Sequence, residues 1–396
     1  MRKLEDTIRR ITPLDPTLAT HVQHRLDSLT KPRGSLGRLE ELALRCALIT
    51  GQERPSVAQK VLFVCCADHG VSAEGVSAYP RAVTAQMVYN FLRGGAAITV
   101  LARQFGLTVH VVDLGVDHDF APQLPGLLQH KIGYGTANIA RGPAMSRHEA
   151  VRAIETGITV AEEAIRSGAQ LLGVGEMGIG NTTVATALLA ALSGIDPEQL
   201  TGIGTGVDDA GRRHKVVVVR QALACNVPDP PDLADPLGTL AGLGGYEIAG
   251  IAGICLAGAA HHTPVVIDGF IATAGAWVAC ALHPAVKERL IFAHRSAEQG
   301  HRHVLAALDV KPLLDLDLRL GEGTGAALGM GLVESAVRLL NEMATFAEAG
   351  VTDKSKQEEG DGKQNQKAKG KRQKSKVMKR RTGSAGVSPA SERTED

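Results

Sequence analysis

Two glutamates stand in glycine-rich stretches that run into apolar helical patterns. Glu176 lies in GVGEMGIGNTTVATALLAAL (173–192), and Glu322 in LGEGTGAALGMGLVESAVRLL (320–340). Glycine lets a backbone approach a ligand closely and adopt positive φ. A helix N-terminus offers unbonded N–H groups and a partial positive charge. A carboxylate beside such an anion cradle is the equipment of an enzyme that holds a phosphate and moves a proton near it. Glu322 also has a plainer reading, as a cap on the helix that follows it. The helix dipole lowers the pKa of such a carboxylate and weakens it as a base. A basic role therefore requires burial against apolar surroundings to raise it again.

Gly173-x-Gly175-x-x-Gly178 follows a predicted strand and precedes a helix, as a dinucleotide fingerprint does. Three features speak against that reading. Glu176 would sit against a pyrophosphate, the motif is mid-chain, and Asp196, about 20 positions on, lies in a turn rather than at a strand end. A single-phosphate cradle built from Gly178, Gly180, Asn181 and Thr182 fits the anion logic better. The bland alternative is a tight turn with a polar helix cap. A second flexible loop, Thr201-Gly-Ile-Gly-Thr-Gly206, includes Gly204 and Thr205 and leads to Arg212-Arg213-His214-Lys215. Lys215 is placed on a helix whose start faces this loop, within reach of a phosphate as a point charge. Solvated helix charges are the competing reading.

Asp68-His69-Gly70 through Ser77-Ala78-Tyr79-Pro80 is a polar loop after a strand, and a helix opens near Gln86 and Met87. Such a segment can line a pocket for a flat heteroaromatic ring, with Ser77 and Gln86 on ring nitrogens and Tyr79 or Met87 over the face. An ordinary strand-to-helix loop accounts for it equally well. His261-His262 and His301-x-His303 do not have metal-ligand spacing, so no metal is expected. Ser-His-Asp hydrolysis lacks a GxSxG elbow.

The elements that must position these residues alternate. Strand-like runs at 60–66, 107–114, 169–175, 264–270 and 289–294 each end in Gly or polar residues. Helical patterns fill 82–104, 146–167, 181–192, 208–224, 246–260, 271–282 and 324–347. This predicts an α/β, Rossmann-like, mostly parallel sheet with helices on both faces, and ligands beyond the carboxyl ends of the strands. Ser35 is the expected N-cap of a helix over LGRLEELALRCALI. The N-terminal helices have no strand partner, so segments 1–55 and 326–350 are expected to form a small helical subdomain on the α/β body at 56–325.

The composition agrees: 45 Gly, 44% hydrophobic and only 3% aromatic residues. So few aromatics argue against a nucleic-acid reader built on stacking. The net charge of +1 hides an asymmetry, because residues 352–396 carry 13 Lys/Arg against 7 Asp/Glu. Segment 351–396 is low-complexity and basic and is expected to be a disordered tail, with at most weak attraction to nucleic acid or another polyanion. Six cysteines in apolar surroundings, none at CxxC spacing, read as buried thiols of a reducing compartment. The charged MRKLEDTIRR start has no apolar signal-peptide core, and the longest apolar stretch, 241–282, is broken by charges. A cytoplasmic chain without a membrane span is expected.

Taken together, these segments resemble the nicotinate-nucleotide–dimethylbenzimidazole phosphoribosyltransferase family, which activates the lower-ligand base of cobalamin. The matching stretches are LTKPRGSLGRLEELA (29–43), ADHGVSAEGVSAYPRAVTAQMVYNFLRGGAAITVLAR (67–103), GVGEMGIGNTTVATALLAAL (173–192) and TGIGTGVDDAGRRHK (201–215). GGYEIAGIAGICLAGA (244–259), VVIDGFIATAGA (265–276), AHRSAEQGH (293–301) and LDLRLGEGTGAAL (316–328) follow in family order. The tail has no place in that pattern. The resemblance implies nicotinate mononucleotide and 5,6-dimethylbenzimidazole as substrates, and α-ribazole 5′-phosphate and nicotinate as products. It implies Glu322 as catalytic base and Glu176 as a second active-site carboxylate. Gly178, Gly180, Asn181, Thr182, loop 202–206 and Lys215 fall on the phosphate side; Ser77, Tyr79, Gln86 and Met87 fall on the benzimidazole side. It further implies a homodimer and no cofactor.

Overall fold

Among the residues described by the computed structural model, 2–228 and 235–352, six parallel strands form one sheet. They are β1 (Lys60–Ala67), β2 (Leu107–Gly115), β3 (Leu127–Gln129), β4 (Leu171–Met177), β5 (Val265–Ile267) and β6 (Leu290–Phe292), in the spatial order 3-2-1-4-5-6. The chain builds outward from β1 through β2 to β3, then returns to lay β4 against the other side of β1. The order therefore reverses between β1 and β4, and the crevice beyond their carboxyl ends is where sheets of this kind hold ligands. Cys65 of β1 pairs with Glu176 of β4, which puts that glutamate at the mouth of the crevice.

Buried strands explain the nearly continuous apolar run KVLFVCCA. Phe63 and Cys65 join a core with residues of helices Arg147–Arg166, Tyr246–Ala260 and Phe270–Leu282. On the opposite face, Gly173 meets Met330 of helix Thr324–Glu342 and Leu62 of β1. Helix Thr324–Glu342 also packs on helix Arg38–Thr50. Its C-terminal carbonyls, at Leu340, Asn341 and Met343, accept hydrogen bonds from Arg25, a cation at the negative end of the dipole.

Several local expectations are corrected. Segment 82–104 is two helices, Val83–Leu92 and Ala97–Phe105, divided at Gly94-Gly95. Helix Arg38–Thr50 begins after Gly37, and Ser35 does not cap it; the Glu40 side chain turns back to accept from Leu36 N. The pattern at 324–347 ends at Glu342. β3 is too short to announce itself. Cys225 is exposed rather than buried. Ser146 and Glu149 form a reciprocal capping box on helix Arg147–Arg166. No helix among the described residues is long and apolar enough to cross a membrane.

The chain resolves into two compact units, Met1–Asp27 with Arg33–Met343, and Ser28–Pro32 with Ala344–Asp396. Within the second, Thr30 N donates to Ala344 O, and the short helix Phe346–Ala349 carries a Thr345/Glu348 capping box. The expected basic tail lies, beyond Thr352, outside the described residues.

Candidate active site

Glu176 and Glu322, 146 positions apart in sequence, meet at the end of β4. Glu322 N donates to Glu176 O at 3.2 Å, and the Glu176 carboxylate lies over Gly321. Both side chains are buried. Gly175 makes the contact possible. A Cβ there would fall inside the backbone of Gly323, so only glycine lets β4 and the 321–324 turn come this close. Gly173 and Gly175 are strand residues serving this packing, not a phosphate loop, which removes the ground for a dinucleotide fingerprint. Glu176 itself belongs to the strand end rather than to a loop.

Glu322 sits at φ +63°, a left-handed conformation that costs a non-glycine residue on the order of 1–3 kcal/mol. Three anchors hold it there: its own N–H on Glu176 O, and the Asp268 carboxylate, which accepts from Gly323 N at 3.1 Å and Ala326 N at 2.9 Å. Asp268 follows β5 and caps helix Thr324–Glu342. Behind it stand two buried imidazoles. His294 Nε2 is 3.6 Å from Asp268, and His301 packs edge-on against His294. His301 Nδ1 accepts from Ser296 N at 2.8 Å, which leaves the proton on Nε2 to face Thr273 Oγ1 at 3.0 Å. Burial pushes His301 down to about 3, so this imidazole is neutral.

The Glu322 carboxylate accepts the Ile98 N–H at the start of helix Ala97–Phe105, while its Oε2 has no protein partner. Burial raises its pKa; the Ile98 amide opposes and the Asp268 charge adds. The lowering by the helix dipole expected from sequence is thus outweighed by desolvation. Glu176 is pushed up further, first by burial and then by Asp268 and Glu247, with Glu322 adding and only the Asn181 amide opposing. Asn181 Nδ2 donates to Glu176 Oε2. Environments that push two carboxyls to different extents separate the proton holder from the base.

On the neighbouring side, helix Asn181–Ser193 begins after Gly180, at φ +97°. Lys215 Nζ reaches Thr182 Oγ1 at 3.2 Å from helix Asp209–Asn226. This lysine is fully buried and burial lowers its pKa, with the Glu298 charge opposing. Gly204 lies on both groups: a Cβ there would stand 2.7 Å from Thr182 Oγ1 and 2.8 Å from Lys215 Nζ. Its N–H is held by the Glu298 carboxylate and its carbonyl by Arg319 Nη1 at 3.2 Å. Glu298 and Arg319 were not picked out from sequence. Nothing in AHRSAEQGH or LDLRL marks them, except that Glu298 follows a strand end. Asp268 had that signal too, as the polar residue within PVVIDGF, just after β5.

Thr205 joins this cradle to the 77–87 segment. Its Oγ1 is 3.0 Å from Ser77 Oγ and accepts from Ala78 N at 3.0 Å. Tyr79 is exposed, Gln86 is exposed, and Met87 is half-buried on helix Val83–Leu92. Thr84, one turn before Val88, accepts from Ile179 N and ties that helix to the end of β4. Beneath Gly178, His69 Nε2 lies 2.8 Å from Glu247 Oε1, both groups wholly buried. The structure therefore brings Glu176, Glu322, Asn181, Thr182, Gly204, Thr205, Lys215 and Ser77 into one connected region; Tyr79 touches it through its backbone N–H, which donates to Ser77 Oγ at 3.2 Å, and the Gln86 side chain has no such link among the described residues.

A protein-family model described as Phosphoribosyltransferase matches residues 11–351. The chain is similar to the nicotinate-nucleotide–dimethylbenzimidazole phosphoribosyltransferase of Geobacter sulfurreducens, at 56% identity over 353 residues, covering 89% of this chain and 99% of the relative. The protein of the same description from Chloroflexus aggregans is 55% identical over 354 residues, covering 89% and 99%. Among solved structures, CobT from Thermus thermophilus superposes with a TM-score of 0.81 at 50% identity, covering 85% of this chain and 99% of that one.

Proposed function

The chain belongs to the nicotinate-nucleotide–dimethylbenzimidazole phosphoribosyltransferase family, and from that premise we propose that it transfers the phosphoribosyl group of nicotinate mononucleotide to 5,6-dimethylbenzimidazole. The products are α-ribazole 5′-phosphate and nicotinate, and the step serves cobalamin synthesis. The observation that carries the mechanism is the junction of Glu322 and Glu176, held together by a backbone bond with one Glu322 oxygen unpartnered.

One benzimidazole nitrogen attacks C1′ of the ribose with its lone pair. The C1′–N bond to the pyridinium breaks, and its electron pair returns to the ring nitrogen, so nicotinate leaves as a neutral ring and needs little acid. In-line attack inverts C1′. The second benzimidazole nitrogen becomes acidic as the new bond forms, and its proton passes to Glu322. General-base help of this kind is typically worth ~10²- to 10⁴-fold. The raised pKa of Glu322 brings it nearer to working pH, which makes it the stronger acceptor. Glu176, pushed up further by burial and its acidic neighbours, is assigned as the second carboxyl beside the sugar, where positive charge grows in the transition state.

Lys215, Thr182, the Gly178–Thr182 backbone and loop 202–206 are assigned to the phosphate, whose anchoring fixes the ribose for in-line approach. Ser77, Tyr79, Gln86 and Met87 are assigned to the benzimidazole. Segments 1–55 and 326–350 are proposed as the small helical part around the 56–325 body, and the working form as a homodimer. No step calls for a metal or redox group. The full chain incubated with both substrates should release nicotinate together with a ribosylated benzimidazole; release of nicotinate without the second product, or none, contradicts the assignment.

A further inference from the structure

A cleft of about 210 Å³ opens at the outer edge of the sheet, between helix Arg38–Thr50 and β6 with its flanking segment 309–313. Arg38, Leu42 and Arg45, at i, i+4 and i+7, present one helix face to it. Lys287, just before β6, and Lys311, after it, complete a ring of four cations around an apolar floor that includes Leu42 and Phe292. The acidic residues of the lining are Glu41 and Asp309, and the Glu288 charge also acts on Arg45.

The guanidiniums are held by backbone carbonyls. Arg45 Nη2 donates to Lys287 O at 3.0 Å; Arg38 donates to Lys311 O at 3.0 Å and Pro312 O at 3.3 Å. Carbonyls orient a guanidinium without neutralising it. Glu41 lies 2.8 Å from Arg38 Nε, but among the described residues no carboxylate is at ion-pair distance from Arg45, Lys287 or Lys311. Burial, with Arg38 beside it, disfavours the charge on Arg45, while the Glu288 charge opposes; a bound anion would favour the charged form further.

We propose that this cleft binds a phosphate-type oxyanion, at a site separate from the Lys215 cradle. The guanidinium N–H groups not spent on carbonyls or on Glu41 are donors for phosphate oxygens, and the lysines add point charges at the mouth. A low-dielectric wall of one sign concentrates the field inside the cleft.

Inorganic phosphate is the probe. Equilibrium dialysis of the full chain at fixed ionic strength should give two phosphate sites, one lost in Lys215→Met and the other weakened at least ~tenfold, about 1.4 kcal/mol, in Arg45→Gln. Crystals soaked in tungstate should show the heavy atom within hydrogen-bond distance of Arg38 and Arg45. Should Arg45→Gln fail to fold by circular dichroism, Lys287→Gln and Lys311→Gln should each weaken the same site several-fold. Binding unchanged in the folded variants, or tungstate density absent from the cleft, overturns the proposal. So does an altered oligomeric state in Arg45→Gln with phosphate binding retained, which would make the cleft a contact between chains.

Discussion

The carboxyl cluster at the end of β4 and the cradle around Lys215 are neighbours built on opposite principles. In the first, Glu176, Glu322 and Asp268 crowd together under burial, and both glutamates are pushed upward. In the second, one buried ammonium stands with a hydroxyl and a single counter-charge, Glu298, and is pushed downward. Crowded acids favour a proton and, once one ionises, a cation; a lone buried cation favours an anion. The proposed substrate, with a cationic ring at one end and a phosphate at the other, would answer both, and on that proposal the two halves are complementary rather than redundant.

The contrast predicts different kinetic signatures on its two sides. Glu322→Gln keeps the shape and removes the base, so kcat should fall by ~10²- to 10⁴-fold with little change in nucleotide binding; steady-state kinetics giving an unchanged kcat would take the base assignment away. Lys215→Met should act mainly through nucleotide binding. A charge-assisted hydrogen bond of ~1.5–3 kcal/mol corresponds to a rise in KM of roughly 10- to 100-fold, with a smaller loss in kcat. If both variants gave the same kcat and KM pattern, the division between the halves would be wrong.

Gly175→Ala probes what joins β4 to the Glu322 turn. Its Cβ meets the Gly323 backbone, which cannot swing aside as a side chain can, so a loss of ~1–3 kcal/mol in denaturant unfolding is expected, with a drop in kcat as Glu322 moves. An alanine tolerated on both counts would show that the close approach is not needed.

The smallest effect is in stability. The folded-state pKa of Glu176 is raised, so its contribution is fully present below the unfolded value and is lost as pH rises through the folded one. Gln is neutral throughout. The melting temperature of Glu176→Gln should therefore gain on the parent chain as pH rises above 4.5, the ordinary value of the carboxyl, even as activity falls. A difference that stays flat with pH would mean that Glu176 is not the crowded acid.

Much of this was legible in the sequence because local chemistry was strong. KVLFVCC and AQLLGVG are too apolar and too short for anything but buried strands. The αβ alternation gave the parallel sheet. Its order did not follow, since nothing in β5 or β6 says which neighbour it pairs with. Glu176, Glu322 and Lys215 could be picked out by residue type and glycine context. The groups that set their behaviour could not: the Ile98 amide, the Asp268 clamp and the Glu298–Arg319 grip on Gly204 exist only once distant segments pack. The left-handed turn at Glu322 was hidden for the same reason, because a glutamate there contradicts local preference and is imposed by tertiary contacts. Misplacing the cap at Ser35 came from trusting a side-chain signal where Gly37 and the Glu40 carboxylate provide the start.

The central claim is that burial, outweighing the Ile98 amide, makes Glu322 a base of raised pKa. The most direct measurement is the pH dependence of kcat for nicotinate release, in the full chain and in Glu322→Gln. A base works only when deprotonated, so activity should fall on acidification with a midpoint above 4.5, and that limb should vanish in the variant. A limb centred at or below 4.5, or one that persists unchanged without the carboxylate, would contradict the account.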